Sequence, residues 1–297
     1  MSKRGKRYLL RRASFLAFVL FVLTVAPVVL RSVYAFSLFR DLGARFGNAG
    51  WHAADDDVIM QPHEVVVFEA NYLFFKLGTV KFELLGKQEC RGVQAYRIRA
   101  FIDSYSGIPF VDLHAVYETC ADARTLTCLA TSNDQEEGDD WVHTNYVFNY
   151  PAGKLEWEQS VKGVITKKVK LPLDTTYTDG LSFFYYVRRI CGISDGRKLS
   201  MTIPMVSDTN RSSVTLTFNE GREPCDVPAF DYPIESERMS GHINFKGTFG
   251  VTGDFVGWIS ADSAEMPLRA DLKVIVGSIV VKLKKIERRS WMPPRAE

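Results

Sequence analysis

The chain has 297 residues, of which 46% are hydrophobic and 24% charged, a balance that supports a large buried core and excludes wholesale disorder. The formal net charge is +2, but residues 1–35 hold Lys3, Arg4, Lys6, Arg7, Arg11, Arg12 and Arg31 and no acid; the remainder carries 30 basic and 35 acidic residues. A mildly acidic body disfavours a nucleic-acid partner.

Taken in chain order, the N-terminus has the layout of an export signal. A basic stretch precedes an uncharged run from Ala13 to Leu30, and Val33-Tyr34-Ala35 offers small residues at the −3 and −1 positions of a cleavage site. The run is also at the lower limit for spanning a bilayer, about 18 residues, so residues 1–35 read as a cleaved signal or as an N-terminal anchor. Either reading places the body outside the cytoplasm, in the periplasm or cell envelope, with membrane association through residues 13–30 in the anchored case. No cysteine follows the run before Cys90, which excludes lipid attachment at a cleaved N-terminal cysteine. Residues 36–63 are irregular and read as a linker.

From Val65 onward strand-like runs follow each other at intervals of about ten residues. They are Val65–Lys76, Thr79–Gly86, Val93–Ile102, Phe110–Thr119, Leu126–Ser132, His143–Tyr150, Lys154–Val161 and Val164–Leu171, then Leu199–Met205, Ser213–Asn219, Arg238–Phe245, Phe255–Ala261, Leu268–Val276 and Ser278–Ile286. Several alternate cleanly: Tyr96, Ile98 and Ala100 fall on one face, Arg97 and Arg99 on the other. Short connections at Leu77-Gly78, Ala152-Gly153 and Lys162-Gly163 imply antiparallel neighbours. The expectation is one continuous β domain over 64–290 with a tail at 291–297.

One segment breaks the pattern. Residues 183–188 read Phe-Phe-Tyr-Tyr-Val-Arg. Asp179 suits an N-cap, Gly192 suits a C-terminal stop, and Arg188 and Arg189 suit a last turn. The segment therefore reads as a helix over Asp179–Ile190, apolar nearly all round and so buried. Only a curved sheet can cover both of its faces. The fold expected is mainly β: one curved antiparallel sheet, or an open barrel, wrapped around a single aromatic-rich helix. Phe184, Tyr185 and Tyr186, with Trp258, then either fill the core or line a cavity for a lipid or other apolar ligand. Arg188, if buried, needs an acidic partner or an anionic ligand.

Three segments together resemble the bacterial exported-protein family known as domain of unknown function 3108. "TDGLSFFYYVR" holds Asp179, Ser182, Tyr185, Tyr186 and Arg188 in one helix. "YLFFKLGTVKFEL" resembles that family's opening hairpin, in which a Gly joins two strands. "GDFVGWISADSAEMPLRADLKVIVGSIVVKL" resembles its closing strands. The resemblance implies an envelope location and a β fold, and carries over no catalytic residue.

Catalytic and metal chemistry find little support. Ser182 lies outside any Gly-x-Ser-x-Gly elbow, and a set drawn from Ser182, His143 and Asp179 reads better as a serine bonding its own helix beside a capping aspartate. The acidic segment 133–141 lacks the ligand spacing of an EF-hand and reads as a hairpin tip. The five histidines are scattered, so no metal site and no cofactor is expected. The basic cluster Lys282, Lys284, Lys285, Arg288, Arg289 and Arg295 reads as a solvated strand edge and tail, or as contact with anionic lipid head groups. Cys120 and Cys128 flank a short polar turn and are expected to form a disulfide; Cys191 and Cys225 could pair by elimination, leaving Cys90 free. The reading that best unites these features is a non-enzymatic binding or carrier module; the alternatives are a scaffolding envelope protein and, last, a hydrolase. Oligomeric state is not legible.

Overall fold

A computed structural model describes residues 58–297 apart from 109–111, 195–196, 246–251 and 275–276. The expected signal or anchor segment lies outside the described residues.

Among the described residues, fifteen strands form one antiparallel sheet. In chain order they are β1 (Val65–Tyr72), β2 (Phe75–Cys90), β3 (Val93–Ser104), β4 (His114–Asp122), β5 (Cys128–Glu137), β6 (Asp140–Asn149), β7 (Lys154–Val161), β8 (Val164–Pro172), β9 (Leu199–Ser207), β10 (Asn210–Phe218), β11 (Arg222–Cys225), β12 (Ile234–Ile243), β13 (Gly253–Ser260), β14 (Pro267–Lys273) and β15 (Ser278–Glu287). A helix, α1 (Gly180–Ser194), stands between β8 and β9. The spatial order is β8-β7-β6-β5-β4-β3-β2-β1-β15-β14-β13-β12-β10-β9, with β11 beside β12. The first eight strands thus meander outward to one edge. The helix carries the chain across, and the remaining strands meander back until β15 pairs with β1, Val65 opposite Glu287. β8 and β9 are the two edges, so the sheet curls without closing into a barrel.

Curling gives both helix faces a cover. Val187, Ile190 and Cys191 pack with Ile203, Val214, Leu216, Phe218 and Met239 from β9, β10 and β12. Leu181 and Tyr185 pack with Leu84, Tyr96, Ile98 and Ala121 from β2, β3 and β4. The alternation in β3 is as expected: Tyr96, Ile98 and Ala100 are buried, while Arg97 and Arg99 both bond Glu118 of β4 on the other face.

Several expectations are corrected. The opening hairpin turns at Leu73-Phe74, where Tyr72 pairs with Phe75, and not at Gly78. Gly78 lies within β2, where a Cβ would stand 2.2 Å from the Asp103 carbonyl oxygen; the absent side chain lets β3 approach. The helix runs on to Ser194, so Gly192 lies inside it and Arg188 and Arg189 precede the last turn. The expected disulfides are not formed: none of the five cysteines is bonded to another. A bulge at Cys120/Ala121 sets Cys128 opposite Ala121 and Cys120 opposite Ala130. Cys128 therefore points to the same face as Ala121, and Cys120 points to the other. Cys191 and Cys225 belong to separate clusters.

Both ends of the body are tied in. Ile59 and Met60, in the expected linker, are buried against the helix cluster. Arg295, in the expected tail, bridges Ile234, and the Trp291 indole donates to Asp262.

Candidate functional site

The helix N-terminus is fixed first. The Ser182 amide donates to Asp179 Oδ1 at 2.8 Å and the Asp179 amide donates to Ser182 Oγ at 3.0 Å, a reciprocal cap. The Thr119 hydroxyl donates to the other Asp179 oxygen and ties the cap to β4. His143 is elsewhere, paired with Asp134 at 2.8 Å, so the Ser182, His143 and Asp179 set is not brought together.

One turn further on, the aromatics meet the sheet. The Phe184 ring stacks on Phe82 with centroids 4.4 Å apart and meets Phe68 and Tyr185 edge-on at 5.9 and 5.0 Å. Such pairs hold rings in one geometry and add to the area they bury. Tyr186 is half-buried between the two helix clusters. Trp258 of β13 packs, as Phe184 and Phe82 do, against the cluster that holds Phe68, Met266 and Leu268, with Arg269 4.7 Å over its ring and its indole nitrogen donating to Glu223.

Beneath the aromatics lies a buried charged knot. Arg188 Nη1 stands 2.6 Å from Glu64 Oε1, and both side chains are 0% exposed. Its guanidinium also donates to the Ala264 carbonyl at 3.1 Å. Glu64 accepts from Arg288 as well, whose side chain is 4% exposed; burial lowers the pKa of that guanidinium. The knot joins the entry to β1, the helix, the β13–β14 connection and the exit from β15. Arg288, expected on a solvated edge, is thereby corrected to a core residue. Neither Glu64 nor Arg288 is marked by local sequence pattern, since they come together from positions 224 residues apart.

Two polar groups nearby are under tension. Glu265 has a left-handed backbone (φ 46°), and its buried Oε2 has no hydrogen-bond partner. Burial, then the charges of Glu237 and Asp262, push its carboxyl up to about 8. The Tyr185 hydroxyl is buried without a partner, and burial raises its pKa.

An open depression of about 390 Å³ lies over β10 and β12–β15, with Thr215, His242, Asp254 and Lys273 at its walls. Of the proposed ligand contacts, Phe184 and Arg188 are thus engaged by protein partners, and Tyr185 is fully buried.

The model of the family described as protein of unknown function DUF3108 matches residues 67–284. No curated protein matches the chain at a significant level. Among solved structures, a β-barrel-like protein of domain of unknown function DUF1849 from Brucella abortus is similar in fold, with a TM-score of 0.51, 10% identity, and coverage of 75% of this chain and 96% of that one. A protein from Bacteroides fragilis described as exported, with a YmcC-like fold, aligns at a TM-score of 0.33 and 10% identity over 77% of this chain and 97% of its own.

Proposed function

The chain belongs to the DUF3108 family of proteins of unknown function, and from that premise we propose that it is an exported, non-enzymatic module of the cell envelope that binds partners at its surface. The observation that carries this reading is the Phe184–Phe82 stack, because it occupies the space that an enclosed apolar ligand would need. The basic and apolar succession in residues 1–35 supports the location. Native mass spectrometry of the chain isolated from the envelope, followed by lipid extraction, tests it. A bare chain is expected; one small apolar molecule retained per chain would overturn the reading.

A carrier for a lipid or other apolar molecule is the second reading. It is favoured by the Tyr185 hydroxyl, a buried polar group without a partner beside the aromatic cluster. Such a ligand would have to displace Phe184 from Phe82.

A further inference from the structure

The turn between β1 and β2 breaks the chemistry that such turns follow. A two-residue hairpin turn favours Asn-Gly or Asp-Gly, because the backbone enters the left-handed region. Here the two residues are Leu73 and Phe74, and Leu73 is held at φ 53°. The side chains gain no burial in return. Leu73 is 69% exposed, Phe74 82% and Phe75 41%, and the Phe74 and Phe75 rings sit 4.4 Å apart in the open. Local violations without a compensating contact in the fold point to a contact outside it.

The surroundings say what kind. Behind the tip, Glu69 is shared by Lys76 at 3.0 Å and Lys284 at 2.8 Å, which leaves one cation in excess. Against burial, the hydrogen bonds from Lys284, Tyr105 and Lys76 hold the Glu69 carboxyl down to about 2, so this carboxylate stays ionised. Gly277, just ahead of β15, lies against Tyr72 and Leu73, and Lys273, at the end of β14, pairs with Asp254 at 3.2 Å. Three protruding side chains are far too few for a stable protein interface, which buries about 800 Å² on each partner. They do suit the boundary between lipid head groups and acyl chains, where a few aromatic and aliphatic groups insert and nearby lysines meet phosphates.

The geometry points to the β1–β2 turn as a membrane-contact tip. Leu73 and Phe74 enter the surface of a phospholipid bilayer, with Lys76 and Lys284 at the level of its phosphates. This deepens the surface-binding reading above and rests on it. The uncharged run at residues 13–30 brings the chain to a bilayer during export in either case.

The test uses the full chain in its own envelope. Phe74 is replaced by a benzophenone-bearing phenylalanine, the cells are irradiated, and the chain is weighed by mass spectrometry. Met292, 74% exposed beyond the opposite end of the sheet, receives the same replacement as the control. The expected result is a phospholipid adduct from position 74 and none from position 292. Adducts from 74 to another protein or to a second copy, or lipid adducts no more frequent than at 292, would overturn the assignment. A protein adduct would leave the surface-binding reading standing; that reading falls only to a small molecule retained in the native mass spectrum.

Discussion

Arg188 and Glu64 meet inside the curled sheet, 124 residues apart in sequence, with two hydrogen bonds of 2.6 and 3.2 Å between them. A buried pair is costly to assemble and costlier to break, since removing one partner strands a charge away from water. Arg188→Met should lower the unfolding free energy by about 3–5 kcal/mol, read as a shift of the denaturant midpoint at unchanged slope. Glu64→Gln should cost a similar amount, because it leaves the Arg188 and Arg288 guanidiniums facing each other. A loss below about 1 kcal/mol for both, the range of surface pairs, would mean that the knot does not hold the four segments together.

Glu265 governs the alkaline side of stability. Its carboxyl is raised in the folded chain to about 8 by burial and by the charges of Glu237 and Asp262; an unfolded glutamate titrates near about 4.3. The stability tied to its proton is complete below about 4.3 and drains as pH rises toward 8, where a buried carboxylate must form. Glu265→Gln should match the wild type in melting temperature at pH 4 and exceed it at pH 8. Curves that stay parallel over that range would reject the assignment.

The cysteines should react as the bulge dictates. Burial, then Cys120, push the Cys90 thiol up to about 12, so thiolate is scarce at neutral pH. A small alkylating reagent should label Cys90 slowly, and faster at pH 9 than at pH 7, while Cys128, buried in the fold, stays unlabelled in the native protein. Peptide mapping that finds Cys120 joined to Cys128 would contradict the register of β4 and β5.

The cap should be separable from the core. Asp179→Ala removes the acceptor of both Ser182 and Thr119 and should cost about 1–2 kcal/mol; Asp179→Asn, which still accepts from the Ser182 amide, should cost less. Equal losses would show that charge, not hydrogen bonding, is what position 179 supplies.

What could be read in the sequence was local. Two-residue alternation disclosed the strands, and the Asp179 cap with an apolar run disclosed the helix and hence the need for a curled sheet. The misreadings arose where non-local packing overrode local signals. Gly78 looked like a turn but serves the close approach of β3. Gly192 looked like a helix stop, yet the helix continues past it. The Cys120–Cys128 expectation failed on a single extra residue, because one bulge changes which face a side chain takes. Glu64 and Arg288 were illegible for the opposite reason: each is a single charged residue at a strand end, and only the closure of β15 on β1 brings them together.

The proposed filling of the core by the helix aromatics is tested most directly at Phe184. Phe184→Ala should lower stability by about 3–5 kcal/mol, and the native wild-type protein should leave an apolar environment-sensitive dye at background fluorescence. The contrary result is equally plain: a melting temperature almost unmoved by the substitution, together with dye uptake by the wild type that the variant loses. That outcome would make Phe184 the wall of a cavity, and the protein a carrier.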